Sequence, residues 1–227
     1  LLAVAVIIFV RLRSVLGRRT GNEPQGVDPY AARDGGPARE REGNVVSLPR
    51  TEARPPQPPA PEPGIDERLS GVPAGSGAFA GLREIAAADR SFEIGSFRNG
   101  SKIAYETIVT AYANGDRETL RNLLSPEVYD SFNAVIGERE SRGETTDFSF
   151  VGILSADVVD ASLAGQTAHV AVRFVSELVT AVRDRAGNVV EGDLKAVRRV
   201  TDIWTFARDI RSPNPNWLLV ATDSVES

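Results

Sequence analysis

The sequence predicts an α+β domain, in which N-terminal helices pack on a curved antiparallel sheet and form a cone with it. A membrane anchor and a disordered linker are expected to precede this domain. Of the 15 aromatic residues, 13 lie after residue 78, which places the hydrophobic core in residues 79–227. Within that region, apolar residues first recur with a helical period and then, after Gly143, alternate with a period of two.

Residues 1–21 predict a truncated transmembrane anchor with a basic flank. The ten apolar residues at the start would rise about 15 Å as a helix, whereas a spanning helix needs roughly 20 residues. We therefore expect the sequence to begin partway through a transmembrane helix; a buried core helix or a signal remnant is the alternative. The anchor side chains are Leu1, Leu2, Val4, Val6, Ile7, Ile8, Phe9 and Val10, and the flank consists of Arg11, Arg13, Arg18 and Arg19.

The flank also predicts the orientation of the anchor. Arginines that directly follow a membrane segment stay on the cytoplasmic side, so the N-terminus is expected outside and the folded domain inside. Arginine outnumbers lysine 24 to two, which fits a GC-rich bacterial genome. The predicted location is therefore the bacterial inner membrane, with one pass and a cytoplasmic C-terminal domain.

Residues 22–78 predict a linker, because they hold 11 of the 14 prolines and one aromatic residue, Tyr30. Such a segment buries too little apolar surface to offset the entropy of ordering it. The proline-rich run at residues 54–63 favours extended polyproline conformations. We interpret the segment as a tether, with a partner-binding proline motif as the alternative.

Four helices are predicted at the start of the domain. The first ends near Gly95, and its apolar face packs on the domain or lies on a membrane surface. The second starts at Ser101 and ends at Asn114-Gly115, the third is capped by Asp116, and the fourth opens at Ser125. The apolar face of the first helix comprises Phe79, Leu82, Ile85 and Phe92.

Alternating apolar residues predict the strands that follow. Residues 147–163 are expected to form one bent strand or two, and residues 167–183, 197–208 and 217–222 to form three more. In residues 197–208 the alternation places Trp204 and Phe206 on one face, with Ile203 and Thr205 facing away.

Six segments resemble the Tim44-like domain family. They are residues 105–109 (YETIV), 115–121 (GDRETLR), 124–129 (LSPEVY), 174–178 (FVSEL), 200–206 (VTDIWTF) and 216–222 (NWLLVAT). The resemblance covers roughly residues 79–224 and implies a fold similar to nuclear transport factor two, with a large apolar pocket between helices and sheet. Its candidate lining here is Tyr105, Phe174, Trp204 and Phe206. The resemblance further implies the role of the mitochondrial member, an adaptor that recruits the import chaperone to the inner-membrane translocase.

Residues suited to catalysis are few. The chain has no cysteine and one histidine, His169, which lies on the partly exposed face of its strand. Asp202 alternates in phase with Trp204, so it is a candidate base if it points inward; otherwise it is an edge residue paired with an arginine such as Arg173. We expect no metal and no cofactor. The net charge of −5 and the dispersed basic residues argue against nucleic acid as a partner.

These observations predict a membrane-tethered, non-catalytic adaptor or scaffold at the cytoplasmic face of the bacterial inner membrane. Its partners would be the membrane and other proteins, such as a chaperone or translocation machinery. Two alternatives stay open. One is a module that binds a lipid or small ligand in the pocket, and the other is a lyase or isomerase that uses the same pocket.

Overall fold

Helices form the first half of the domain in the computed structural model, which describes residues 64–224. Five helices occur in that range: α1 Ile65–Arg68, α2 Phe79–Ala88, α3 Ile94–Asn114, α4 Arg117–Leu123 and α5 Pro126–Arg142. The caps of the later helices agree with the sequence. Asp116 accepts a hydrogen bond from the Thr119 amide and Ser125 from the Val128 amide, while α3 and α5 end at left-handed glycines.

The helix boundary near residue 94 differs from the sequence prediction. The first predicted helix, expected to end near Gly95, stops at Ala88, and the next helix begins at Ile94 rather than Ser101. The cause is Glu93, whose carboxylate accepts hydrogen bonds from the backbone amides of Gly95 at 2.7 Å and Ser96 at 2.5 Å. A carboxylate at this position satisfies amides that have no partner inside the helix and meets the positive end of its dipole.

An antiparallel sheet follows the helices. Its strands within the described residues are β1 Thr145–Ala164, β2 Thr167–Arg183, β3 Val189–Gly192, β4 Arg198–Asp209 and β5 Leu218–Ser224. The order is β1-β2-β4-β5, and β3 pairs with the far end of β2. Residues 147–163 lie in one strand whose pairing with β2 shifts register three times. Bulges of this kind bend a strand, which gives the sheet its curvature.

The core lies between the inner face of the sheet and the helices. Val172, Phe174, Trp204 and Phe206 are buried on that face, as the alternation predicts, and Ile203 faces away. Leu82 and Ile85 of α2 and Phe92 of the turn that follows it are buried against this face, while Phe79 is half-buried. The apolar face of the first predicted helix therefore packs on the domain.

The ordered fold begins before residue 79. Helix α1 precedes that boundary, and both Leu69 and Ala78 are buried in the core. The linker predicted for residues 22–78 therefore overlaps the fold at its C-terminal end. The predicted anchor, its arginine flank and the proline-rich run lie outside the described residues. Between residues 64 and 224, no helix combines the length and hydropathy that crossing a bilayer requires.

Candidate functional site

A groove of about 610 Å³ opens between α3, α4 and the segment that leads into β5. Helix α3 contributes one wall with small residues such as Gly100 and Ala104, and Leu123 of α4 lies opposite. The turn before α3 and residues 215–217 close one end of the groove. We call this feature the groove.

Aromatic side chains form the deep part of the groove. Phe97 contacts Trp217 edge-on, with ring centroids 4.8 Å apart, and Phe92 lies 6.0 Å from the same indole. Phe206 approaches Phe97 at 6.2 Å from the sheet side. Such contacts fix ring orientation beyond what burial alone provides, so the groove has preformed aromatic walls.

A buried ion pair lies beneath these rings. The guanidinium of Arg208, which lines the groove, pairs with the carboxylate of Asp89. The same guanidinium lies 5.3 Å from the centroid of the Trp217 ring. Burial lowers the pKa of Arg208, and the other oxygen of Asp89 accepts hydrogen bonds from the amide and hydroxyl of Ser91. The pair thus connects the turn before α3 to the sheet and to Trp217.

The mouth of the groove carries both polar and apolar side chains. Ser96, Asn122 and Asn216 line it, and Ile103 is 68% exposed at its edge. Within the described residues, no other large hydrophobic side chain is as exposed as Ile103. A single exposed aliphatic side chain is common on protein surfaces, so Ile103 is of interest only together with the apolar groove beside it.

A separate polar cluster lies in the core. The Tyr105 hydroxyl donates to Asp202 Oδ2 at 2.6 Å and lies 2.9 Å from the Ser176 hydroxyl. Burial raises the pKa of the Asp202 carboxyl to about 6, and the hydrogen bond from Tyr105 opposes this shift. Burial, followed by the neighbouring Asp202 charge, raises the pKa of Tyr105. Asp202 therefore faces inward, and its partner is a tyrosine rather than Arg173.

The candidate lining residues separate into two groups. Phe206 lines the groove, as does Phe92 from the first predicted helix. Tyr105 stacks against Phe174 at 4.5 Å and contacts Trp204 at the same centroid distance. These three rings fill the cone near Asp202 and are not among the residues that line the groove.

Most residues of the groove were not predicted from the sequence, and the most informative of them are Phe97, Arg208 and Trp217. Arg208 pairs with Asp89 across 119 positions, a separation that no local pattern reports. Trp217 follows a loop with two prolines, and only its aromatic type marked it. His169 is half-buried on the outer face of β2. Among residues 64–224, no three acidic or histidine side chains are grouped so that they could hold a metal ion.

Comparison with known proteins places most of the described residues in one family. The model of the Tim44-like domain matches residues 78–224. The chain is 25% identical to the mitochondrial import inner membrane translocase subunit TIM44-1 of Arabidopsis thaliana over 124 residues, 55% of this chain and 26% of that protein. It is 24% identical to the TIM44 subunit of Homo sapiens over 135 residues, 59% of this chain and 30% of that protein. The chain thus spans less than a third of the length of these curated relatives.

Solved structures give weaker likenesses. The intermembrane space region of the chloroplast protein ARC6 superposes with a TM-score of 0.42 at 16% identity, covering 57% of this chain and 97% of that one. A conserved protein from Planctomyces limnophilus DSM 3776 gives 0.32 at 16% identity, covering 58% and 99%.

Proposed function

Because this chain belongs to the Tim44-like domain family, we propose that it is a non-catalytic adaptor that holds other proteins at a membrane. The observation that carries this proposal is the family match over residues 78–224, together with relatives named as subunits of an inner-membrane import translocase. The chain spans less than a third of those relatives, so we infer its partners from its own surface.

The membrane attachment is the second part of the proposal. Residues 1–10 would enter the inner membrane of a bacterium, the arginines after them would hold the chain on the cytoplasmic side, and the proline-rich linker would carry the domain. A tether of this kind raises the effective concentration of the domain near membrane-bound partners. A moderate affinity at the domain surface would then suffice.

The groove is the surface that we assign to partner proteins. Tryptophan and arginine dominate the binding energy of many protein interfaces, and the groove places Trp217 beside Arg208. Ile103 at the mouth adds an exposed apolar contact. Since the aromatic walls are already packed on one another, little side-chain ordering would remain to be paid on binding.

Photo-crosslinking in cells tests this assignment. A photoreactive phenylalanine replaces Ile103 in the full chain, and a control chain carries it at Val190, an exposed apolar position in β3. Both positions face solvent, so neither replacement disturbs the core. We expect defined protein adducts from position 103 that position 190 does not form. Adducts that are absent at position 103, or equal at both positions, would contradict the groove as the contact surface.

A ligand-binding function is the second candidate, and the size of the groove favours it. Small-molecule sites commonly measure about 300–1,000 Å³ and have apolar walls with few polar groups, and the groove falls in this range. Native mass spectrometry of the purified full chain tests this candidate. A co-purifying lipid or small molecule whose occupancy falls when Trp217 is replaced by alanine would support ligand binding.

A lyase or isomerase is the least supported of the three functions. A general base must reach the proton that it removes. The inward-facing carboxylate that the sequence singled out, Asp202, is held by Tyr105 in the core and does not line the groove.

A further inference from the structure

One residue connects the start of the folded domain to the groove. The backbone carbonyl of Asp89 accepts a hydrogen bond from Arg68 at 3.0 Å, while its side-chain carboxylate pairs with Arg208 in the groove. Asp89 is itself buried. Two arginines from opposite ends of the domain therefore meet on a single residue in the turn between α2 and α3.

Arg68 is bound more extensively than an ordinary surface arginine. Besides Asp89, its guanidinium donates to the carbonyls of Ala86 at 2.6 Å, Arg90 at 3.1 Å and Phe92 at 3.2 Å. These carbonyls lie at the C-terminal end of α2 and just beyond it, where the helix dipole is negative and several carbonyls lack helical partners. If the buried guanidinium of Arg68 moved away, four carbonyls would lose a hydrogen bond together. We therefore describe Arg68 by two states, docked and released.

A second hydrogen bond connects the residues after Arg68 to α3. Arg98 donates to the carbonyl of Gly71 at 3.2 Å, so residues 68–71 are held to both ends of the turn. We call residues 65–71 the leading segment. It lies at the start of the described residues, within the C-terminal end of the predicted linker, so the preceding chain connects to the domain through it.

The turn held by Arg68 is also a wall of the groove. Ser91 and Phe92 both line the groove, and the Phe92 carbonyl is one of the four acceptors. Release of Arg68 would loosen this turn. The Asp89 carboxylate would then lose its fixed position under Arg208, and Arg208 would lose its place over Trp217.

We infer that docking of Arg68 and the described shape of the groove are coupled, with the turn between α2 and α3 as the shared element. Arg68 acts as a positioning residue for the groove, and the state of the leading segment regulates what the groove can bind. Coupling between two sites is reciprocal, so a change at the groove must alter the docking of Arg68 by the same factor. The consequence for partner proteins rests on the proposed function, whereas the coupling itself needs no partner.

Trypsin cleavage after Arg68 measures the docked state directly. The protease needs the arginine side chain in its own pocket, so it cuts only molecules in which Arg68 is released, and the rate follows the released fraction. The full chain in detergent is digested briefly, and the fragment that begins at Leu69 is quantified by mass spectrometry. Cleavage after Arg139, a half-buried arginine of α5 bonded to Thr146 and the Tyr112 carbonyl, reports opening elsewhere in the domain in the same sample.

The test changes the ion pair in the groove and measures the release of Arg68. Arg208→Gln removes the partner of Asp89, and Asp89→Asn removes the charge while keeping an oxygen for Ser91. Arg199→Gln is the control, because it breaks a different ion pair, with Glu177 at 3.2 Å, and neither residue lines the groove.

We expect cleavage after Arg68, relative to cleavage after Arg139, to rise by roughly tenfold in both groove variants, the scale of ordinary coupling free energies. Arg199→Gln leaves this ratio unchanged. An unchanged ratio in Arg208→Gln and Asp89→Asn would overturn the coupling, as would an equal rise in Arg199→Gln or a rise matched at Arg139. None of these results depends on a partner, so the coupling can fail while the adaptor proposal stands, and the reverse.

Discussion

At the scale of single residues, Asp202 is the most unusual group in the core. It combines a buried carboxyl with one donor from Tyr105, and burial raises its pKa to about 6 from an ordinary value of 3.8. Ionisation of such a group is unfavourable in the folded state. The hydrogen bonds with Asp202 and Ser176 fix the position of Tyr105 between the rings of the cone. Asp202 thus makes the packing more specific, but it lowers the free energy of unfolding at a pH above its pKa.

The pH dependence of stability tests this description. Between pH 4 and 6 the folded state holds a proton on Asp202 that the unfolded state has already lost, so the free energy of unfolding falls as the pH rises. With a shift of about two units, the loss is about 3 kcal/mol and is complete above pH 6 to 7. Asp202→Asn cannot ionise and lacks this loss. Urea unfolding at pH 4 and pH 7 measures the free energy of unfolding of both chains. The value for the wild type minus the value for the variant should be more negative at pH 7 than at pH 4 by about that amount.

A difference between the two chains that stays constant from pH 4 to pH 7 would contradict the raised pKa. The comparison cancels the titration of the other carboxylates, since both chains share them. Tyr105→Phe provides an independent check, because it removes the one hydrogen bond that lowers the pKa of Asp202. In that variant the pH dependence should extend to higher pH.

At the scale of elements, α2 packs directly on the backbone of β1. Gly81 faces the carbonyl of Ala161 so closely that a Cβ atom at Gly81 would overlap it. The contact covers the backbone of β1, an edge strand that would otherwise offer unpaired groups to other chains. A glycine is required here by the close approach of two backbones rather than by a turn.

Gly81→Ala should therefore lower the free energy of unfolding by about 1–3 kcal/mol, because α2 has to move off the strand. Gly100→Ala serves as the matched control, since it also lies inside a helix and a Cβ there meets no atom within 4 Å. That change should raise stability by about 0.5–1 kcal/mol through helix propensity. Urea unfolding measures both, and equal effects of the same sign would show that α2 does not lie on β1 as described.

The elements that sequence patterns predict best are those with local causes. Strand β2 begins and ends at the predicted residues, and the inward phase of Trp204 follows from alternation alone. The start of α3 was missed because Glu93 is not among the usual capping residues, although its carboxylate performs that task. The family resemblance implied a pocket between helices and sheet, but Arg208 and Asp89 could not be assigned to it, because they are distant in sequence and meet only through the tertiary fold.

At the scale of the whole molecule, we propose that an anchor and a linker precede the Tim44-like domain. The anchor makes a prediction about location. Because ten residues are too few to span a bilayer, the apolar run at residues 1–10 is first extended upstream by ten apolar residues; expressed in a bacterium, that extended chain should remain in the membrane pellet after alkaline carbonate extraction. A chain without residues 1–10 should move to the supernatant. Equal extraction of both chains would contradict the anchor, and the domain would then reach membranes by another route.

The central claim is that the groove of a Tim44-like domain binds partner proteins, and a blocked groove tests it most directly. Gly100 lines the groove and Gly137 lies in α5 outside it, yet both are helical glycines with open space at the Cβ position. Gly100→Gln therefore adds a side chain to the wall of the groove, whereas Gly137→Gln applies the same chemical change elsewhere, and both should keep the fold. The measurement is the in-cell yield of protein adducts from the photoreactive residue at position 103 in each variant. We predict that the yield is lost in Gly100→Gln and retained in Gly137→Gln; equal yields in the two variants would contradict the claim.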